Sequence, residues 1–413
     1  MMVWQLLLWV GAAGLVTSTG YLVLVMIASA RFHRRRRNAA GPVAFPPVTL
    51  LKPLCGMEPG LEAHLTSFFE QNYPSYEIIF GARKGDDPAL GVVRRISAQY
   101  PSVPVQIVVA GEPWLSNAKV CSLVKMYRRA SYDYLIISDS DVCVDPNYIA
   151  EVVQPLLEPG NGMVTCLYRG KPTGGIWSKL EALGMSVEMT AGALAANLVE
   201  GMKFALGPTM GIRRDAVDAI GGFEALGDYC SDDYVLGRKV AESRRRVVMS
   251  HHVIDHVVIN RDFRCSVQHQ VRWMKSTRCS RHAGHAGTAL TFAMPFGIIA
   301  LVSAAALHHW ALGVGLFAAA YLNRLLLAVV AGWGVVRDRR ALRQAWLYPV
   351  RDLMGFLFWC ASYSGRMIVW RGDWYRLEDC GRLVPIEPAK ATLDRPLPKT
   401  EVTASTAIAD RYS

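Results

Sequence analysis

Residues 135–141 read Leu-Ile-Ile-Ser-Asp-Ser-Asp, an apolar run that ends in two carboxylates. The run predicts a buried strand with the Asp-x-Asp at its carboxyl end, where ligands of open α/β sheets bind. Asp139 and Asp141 are therefore candidates to hold Mg²⁺ or Mn²⁺, because such ions take one or two carboxylates together with phosphate oxygens. The alternative is that the strand is followed by an acidic surface turn with no metal, and the pattern alone does not favour either interpretation.

Short apolar runs and helix-like stretches alternate around this strand. The apolar runs lie at residues 48–52, 76–82, 105–110 and 163–167, with helix-like stretches at 60–70 and 88–100. This alternation predicts an α/β fold with a mostly parallel sheet and helices on both faces. Since no Gly-x-Gly-x-x-Gly follows the first strand, dinucleotide binding is not expected.

Apolar segments of membrane-spanning length flank this region, and 52% of the 413 residues are hydrophobic. Residues 3–30 contain no charge and arginines follow them, which predicts an uncleaved anchor with the next segment in the cytoplasm. Two more spans are predicted at residues 288–307 and 311–336. Residues 353–370 are interrupted by Arg366 and either span the bilayer or lie at its interface.

These features divide the chain into five predicted parts and indicate a multi-pass protein of a bacterial inner membrane. The parts are a transmembrane anchor (1–30), a basic Pro-rich linker (31–47), a cytoplasmic catalytic domain (48–286), transmembrane or interfacial helices (287–370) and a polar tail (371–413). The net charge of +11 is concentrated beside the apolar segments, which fits anionic lipid head groups. No nucleic-acid partner is expected, and the nine scattered cysteines predict reduced thiols.

Two further acidic elements lie in the predicted catalytic domain. The carboxylate of Asp87 either contacts the uracil or ribose of a nucleotide or caps a helix that begins at Pro88. Asp232 and Asp233 follow a glycine-rich stretch, residues 201–211, which suits close approach of a ligand. One of the pair is a candidate general base, although paired acids are commonly solvated surface groups.

A basic residue and an aromatic residue, Arg272 and Trp273, lie shortly before the next predicted span. The guanidinium of Arg272 suits bidentate phosphate binding, and the indole of Trp273 offers a flat face to a sugar or lipid. A basic helix beside the membrane is the alternative. The histidine-rich stretch at residues 251–256 is strand-like, and we do not expect it to bind a metal.

Taken in order, these segments resemble the GT-A glycosyltransferases of the ceramide glucosyltransferase family, over nearly the whole chain. The resemblance is carried by the anchor and the terminal spans and by residues 50–56, 68–74, 86–88, 117–119, 138–141, 221–223, 232–234, 272–273 and 370–372. It implies that Asp87 binds the nucleotide, that Lys119 lies near the donor, and that Asp139 and Asp141 hold a metal diphosphate.

The resemblance also implies an acceptor side of the site. Asp233 would be the catalytic base, and Arg272 with Trp273 would close the site. Two positions depart from the family pattern: His269 stands where the family has Gln or Arg, and Asp232 stands where Glu is frequent. The first departure leaves the role of residue 269 open, and the second is chemically conservative.

The implied reaction is an inverting transfer of a sugar from a UDP-sugar to a hydroxyl of a membrane lipid. The Ser-Asp-Ser-Asp run at 138–141 and residues 269–273 favour the bacterial branch that adds N-acetylglucosamine to hopanoids (bacteriohopanetetrol). The alternative acceptor and donor are ceramide and UDP-glucose. A processive polysaccharide synthase would need more spans, and a non-enzymatic scaffold or transporter would place polar residues inside the spans.

Overall fold

A mixed sheet lies at the centre of the computed structural model, which describes residues 1–38, 41, 44–259, 262–370 and 372–386. Its strands are β1 (Val48–Pro53), β2 (Tyr76–Ala82), β3 (Val105–Val109), β4 (Tyr134–Ser138), β5 (Val142–Cys143), β6 (Asn161–Pro172), β7 (Thr209–Arg213) and β8 (Arg246–Val258). The strand order is β3-β2-β1-β4-β7-β6-β8-β5. Strands β1 to β4 and the β6–β8 pair run parallel, whereas β7 is antiparallel to both neighbours and β5 is antiparallel to β8. The predicted α/β class with a mostly parallel sheet is confirmed.

Helices cover both faces of this sheet, as predicted. The α-helices of the described chain are α1 (Met2–Asn38), α2 (Leu61–Phe69), α3 (Pro88–Gln99), α4 (Ala118–Tyr127), α5 (Tyr148–Val153), α6 (Ile176–Gly184), α7 (Thr190–Glu200), α8 (Arg214–Ala219), α9 (Asp232–Glu242), α10 (Phe263–Ser280), α11 (His282–Thr288), α12 (Met294–Ala306), α13 (Trp310–Leu327), α14 (Arg339–Arg343) and α15 (Tyr348–Ser362). Successive residues of β1 point to opposite faces, so Leu50 joins the core under α2, α3 and α5, while Leu51 joins the core under α4, α8 and α9.

Three helices in the described part of the chain are long and apolar enough to cross a membrane: Met2–Arg37, Ile176–Glu200 and Trp310–Val335. The first and third correspond to predicted spans at 3–30 and 311–336. The predicted span at 288–307 falls on a bent pair, His282–Thr291 and Met294–Ala306, with an angle of 48° between its helices. Helix α1 packs along α12 and α13.

The structure differs from the predicted segments at three places. Helix α1 continues past residue 30 to Asn38, so the arginines extend the anchor helix before any linker begins. The helix Ile176–Glu200 lies inside the predicted cytoplasmic catalytic domain. Its acidic residues interrupt the apolar sequence, so no membrane span is predicted there. The division of the chain into five parts stays a prediction, and tail residues 387–413 lie outside the described residues.

The third difference concerns residues 353–370, which are not one continuous helix. Helix α15 ends at Ser362, and Gly365 adopts a left-handed φ of 78° that interrupts the helical path. A small antiparallel sheet follows, with strands β9 (Met367–Trp370), β10 (Asp373–Leu377) and β11 (Leu383–Pro385). Hydrogen bonds to these later strands stabilise the extended form of residues that are apolar enough for a helix.

Candidate active site

The two predicted metal carboxylates follow β4 directly, at the carboxyl edge of the sheet. A fully buried lysine of β1, Lys52, donates to the carbonyl oxygen of Asp139 at 2.6 Å and to the Ser138 hydroxyl at 3.3 Å. Burial lowers the pKa of Lys52 to about 7, although the charges of Asp139 and Asp141 oppose this shift. Lys52 thus fastens the Asp-x-Asp turn to the neighbouring strand, a role that sequence reasoning missed although the residue lies in a quoted family segment.

Lys119 joins acidic residues from two distant segments. Its Nζ lies 2.8 Å from Asp139 Oδ1 and 3.4 Å from Asp232 Oδ2. The lysine stands in the first turn of α4, where the side chain of Asn117 accepts hydrogen bonds from the backbone N–H groups of Lys119 and Val120. Burial alone would lower the pKa of Lys119, but the two carboxylates outweigh it and raise that pKa. The ammonium therefore stays charged between the acids.

Asp141 is paired with a histidine from β8. Its Oδ2 lies 3.1 Å from Nε2 of His256, which β5–β8 pairing brings opposite Val142. Burial would raise the pKa of Asp141, but the charge and hydrogen bond of His256 lower it overall. Asp141 Oδ1 is buried and has no hydrogen-bond partner among the described residues. The histidine-rich stretch that the sequence left outside the site therefore contributes one residue to it.

Asp233, the predicted base, lies in the first turn of α9. Its Oδ1 accepts a hydrogen bond from the backbone N–H of Tyr234 at 2.8 Å. Burial raises the pKa of Asp233 to about 6, and the negative charge of Asp232 adds to the increase. A Cβ at Gly207 would lie only 2.9 Å from Asp233 Oδ2, so the glycine-rich stretch makes room for this carboxylate.

Helix α10 places Arg272 and Trp273 beside these acids. The Arg272 guanidinium lies 5.8 Å from the ring centroid of Trp370, a residue of the small C-terminal sheet. The Trp273 ring lies 4.3 Å from the ring of His269, whose Nδ1 is 2.7 Å from Glu181 Oε1. The departure from the family pattern at position 269 is thus a histidine that reaches a buried glutamate.

One cavity of about 830 Å³ brings most of the predicted site residues together. It is lined by residues between Pro53 and Pro385, which include the carboxyl edge of the sheet. Those with predicted roles are Lys119, Asp139, Asp141, Asp233, Arg272 and Trp273; those that sequence reasoning missed include Glu181, Glu188, Arg351, Trp370, Asp373 and Tyr375. The sequence signal that could have located Glu181 and Glu188 is their position inside an apolar segment.

Asp87 is the predicted site residue that is absent from the described lining of this cavity. It caps α3, where its carboxylate accepts a hydrogen bond from the Ala89 N–H at 2.9 Å. The same carboxylate accepts from the Gly56 N–H at 3.0 Å, which fastens the loop after β1. The structure therefore shows the capping alternative, and the contact with a nucleotide stays a prediction.

The acidic edge fits a divalent cation that is shared with a diphosphate. Among the described residues, no group of three or more His, Cys, Asp and Glu side chains could hold a metal ion. Asp139 and Asp141 nevertheless line the same cavity, and the buried Oδ1 of Asp141 lacks a partner within the described chain. Two carboxylates suffice when phosphate oxygens and water complete the shell.

The sequence profile of glycosyl transferase family 21 matches residues 16–383, which cover the second half of the anchor, the central sheet, nearly all of the cavity lining and most of the small C-terminal sheet. The chain belongs to this family. The predicted resemblance to ceramide glucosyltransferases is confirmed, and with it the α/β fold of the GT-A type.

The chain matches only part of the length of its curated relatives. The chain is 26% identical to ceramide glucosyltransferase 1 of Caenorhabditis elegans over 233 residues, which is 56% of this chain and 50% of that protein. It is 31% identical to the ceramide glucosyltransferase of Komagataella phaffii over 146 residues, 33% of this chain and 29% of that protein. The match thus spans half or less of each relative's length.

Solved structures are more distant. A mannosyltransferase of Pyrobaculum calidifontis in complex with GDP-Man and Mn²⁺ is 18% identical with a TM-score of 0.49, covering 84% of this chain and 98% of that one. Staphylococcus aureus TarS in complex with UDP-GlcNAc is 10% identical, with a TM-score of 0.40. The match covers 83% of this chain and 100% of that chain.

Proposed function

We propose that the protein transfers a sugar from a UDP-sugar to a hydroxyl of a membrane lipid, with inversion at the anomeric carbon. The observation that carries this proposal is the charge pattern of one cavity. Lys119 bridges Asp139 and Asp232, while the neighbouring Asp233 has a raised pKa. The same cavity is lined by Glu188, a residue inside a helix that is apolar enough to cross a membrane.

The donor side consists of cationic and carboxylate groups on one edge of the sheet. Lys119 and Arg272 would neutralise charge on the departing diphosphate, a contribution that is large in a site with little water. Asp139 and Asp141 would hold Mg²⁺ or Mn²⁺, which when bound supplies further neutralisation of that charge. Asp87 would contact the nucleotide in addition to capping α3.

The acceptor side centres on Asp233. Its carboxylate would take the proton of the lipid hydroxyl while the hydroxyl oxygen attacks the anomeric carbon. With a pKa of about 6 it is ionised at neutral pH and more basic than an ordinary aspartate. Trp273 and Trp370 would offer flat apolar faces to the sugar or the lipid. No covalent sugar–enzyme intermediate is required.

For the acceptor we favour a hopanoid polyol with UDP-N-acetylglucosamine as the donor. The Ser-Asp-Ser-Asp run and the segment from His269 to Trp273 support this choice through their resemblance to the bacterial branch. Glucosylation of ceramide from UDP-glucose is the second candidate, favoured by the ceramide glucosyltransferases of C. elegans and K. phaffii among the relatives.

A transfer assay separates these possibilities. Membranes that contain the protein are incubated with labelled UDP-N-acetylglucosamine or UDP-glucose and with bacteriohopanetetrol or ceramide, and the lipids are extracted. We expect label in one donor–lipid combination, and none with an Asp233→Asn control in the same membranes. Label in no combination with the wild-type protein would reject the proposed function.

A further inference from the structure

An apolar helix carries two carboxylates into the cavity. The helix Ile176–Glu200 consists of α6 and α7 joined by a π-helical turn, Met185–Met189. Glu181 and Glu188 line the cavity from this helix. Acidic residues in a segment of this apolarity are costly and mark functional positions, and π turns are frequent at such positions.

The two glutamates differ in how their oxygens are satisfied. Glu181 is bound by helix α10: its Oε2 accepts from the Ser266 hydroxyl at 2.7 Å, and its Oε1 lies 2.7 Å from His269 Nδ1. Glu188 accepts from Arg351 Nη2 through Oε2 alone, at 2.8 Å. Its Oε1 is buried without a hydrogen-bond partner in the described part of the chain. Glu188 can therefore accept a further hydrogen bond from a ligand through Oε1, whereas both oxygens of Glu181 already have partners.

Arg351 has the complementary unused donors. Its side chain is 6% exposed, and its Nε and Nη1 have no hydrogen-bond partner among the described residues. Buried donors without partners are unfavourable, so a ligand that accepts from them gains binding energy. Arg351 lines the same cavity as Glu188 and Asp233.

The surrounding residues hold this guanidinium in place. It lies 5.6 Å from the ring centroid of Phe358, about two turns further along α15. On the opposite side stands Gly184, where a Cβ would overlap Arg351 Nε. The glycine thus leaves the space in which the guanidinium reaches Glu188, and the pair is positioned before any ligand binds.

We propose that Glu188 and Arg351 form a subsite for a second hydroxyl group of the acceptor lipid. Glu188 Oε1 accepts a hydrogen bond from that hydroxyl, and Arg351 donates a hydrogen bond to its oxygen, while another hydroxyl of the same lipid attacks beside Asp233. The pairing of one acceptor with one donor matches a hydroxyl, which needs both. The acceptor is then a lipid whose head group carries at least two hydroxyls, an assignment that rests on the proposed function.

The test compares acceptors that differ by one hydroxyl. Hexadecane-1,2-diol and hexadecane-1,3-diol are compared with hexadecan-1-ol in detergent, with the labelled UDP-sugar that the wild-type protein uses. We expect kcat/KM for the better diol to exceed that for the alcohol by about tenfold, the size of a hydrogen bond to a charged group. Glu188→Gln and Arg351→Met should bring this ratio close to one by raising KM for the diol, with KM for the donor unchanged.

Matched controls separate the subsite from general damage. Glu200 lies on the same apolar helix but outside the cavity lining, and Arg343 is an exposed arginine. The variants Glu200→Gln and Arg343→Met should therefore both keep the diol preference. Removal of one partner of a buried ion pair destabilises a fold, so thermal unfolding and donor binding are measured on every variant. Gly184→Ala keeps both charges and displaces Arg351, and it should lose the preference like Glu188→Gln.

The outcomes distinguish this inference from the function on which it rests. No transfer by the wild-type protein to bacteriohopanetetrol, to ceramide, to the diols or to the alcohol would reject the proposed function and the subsite together. Transfer to the alcohol and to both diols with equal kcat/KM would reject the subsite alone. An unchanged diol preference in folded Gly184→Ala and Glu188→Gln would also reject it.

Discussion

Asp232 and Asp233 are adjacent residues, and one of the two carboxylates is the proposed catalytic base. Asp232 is ion-paired with Lys119, whereas Asp233 has a raised pKa and a neighbouring glycine that admits its carboxylate. Adjacent residues cannot direct their carboxylates to one point in the same way. The geometry therefore favours Asp233 as the base and Asp232 as a residue that positions Lys119.

Replacement by asparagine tests this assignment, because it keeps the shape and removes the basicity. We expect Asp233→Asn to lower turnover by about 10² to 10⁴ while donor binding survives, and Asp232→Asn to have a milder effect. Both are measured as kcat and as donor affinity. If Asp233→Asn keeps near-normal turnover and Asp232→Asn is inactive, the base is Asp232.

The raised pKa of Asp233 also predicts a pH profile. A base must be deprotonated to accept a proton, and the carboxyl is protonated below its pKa of about 6. Activity should therefore fall as the pH is lowered through about 6, in a range where an ordinary aspartate would remain ionised. The measurement is kcat/KM between pH 5 and 8 by about half-unit steps. A flat profile down to pH 5 would contradict the role of Asp233.

The metal prediction concerns Asp139 and Asp141. Asp139→Ala and Asp141→Ala should each abolish transfer, and chelation should do the same to the wild-type protein. Mg²⁺ or Mn²⁺ should restore the chelated enzyme, because hard cations favour oxygen ligands. Thermal unfolding of both variants is the control for misfolding. Full activity of the wild-type protein in excess chelator would contradict the metal role. Lys119 and Arg272 would then neutralise the charge on the departing diphosphate without a metal ion.

At the scale of elements, helix α3 shows how one acid can have two separable roles. Asp87 caps this helix and also binds the Gly56 N–H of the loop after β1. That loop includes Cys55, which lines the cavity. A loss of donor affinity in an Asp87 variant could therefore arise through the loop as well as through a lost nucleotide contact.

Two substitutions distinguish the cap from the contact. Asp87→Ala should lower the free energy of unfolding by about 0.5–2 kcal/mol, the usual effect of losing an N-cap. Asp87→Asn should keep stability, because asparagine is also a good N-cap, while it removes the charge. Thermal unfolding and KM for the donor are measured on both. If Asp87→Ala were as stable as the wild-type protein, the capping role would be contradicted. A raised donor KM in Asp87→Asn at unchanged stability would support the nucleotide contact.

At the scale of the whole molecule, the apolar helices and the arginines predict an orientation in the membrane. Arginines follow the first apolar stretch, and further ones lie after α13. Since such residues stay on the cytoplasmic side, the amino terminus should lie outside the cytoplasm. Helices α12 and α13 would then form a hairpin whose turn is also outside, with the catalytic cavity inside.

Cysteine labelling with an impermeant reagent tests this orientation. In a background that lacks the exposed native cysteines, Arg339→Cys should react only after the cells are permeabilised, whereas His309→Cys should react in intact cells. Strong labelling of Arg339→Cys in intact cells would contradict the predicted topology. The native residues to replace are Cys55, Cys265, Cys360 and Cys380.

Features that depend on residues close together in the chain could be predicted from the amino-acid sequence. The strand at 135–138, the alternation of strands and helices and the two long apolar helices near the chain ends follow from local composition and periodicity. The family followed from many short motifs in a fixed order. Local patterns also located both Asp-x-Asp carboxylates, because a strand end carries its side chains to a defined edge of the sheet.

Features that join residues far apart in the chain became visible in the folded protein. Lys119 meets Asp139 and Asp232, Glu188 meets Arg351 from 163 residues away, and the small C-terminal sheet reaches Arg272. These pairings depend on which elements pack together. Neither the secondary-structure propensity nor the hydrophobic periodicity of a segment indicates which distant segment it will contact. The same reason explains the extended form of residues 367–370, since a strand is stabilised by hydrogen bonds to another part of the chain, whereas a helix makes its own.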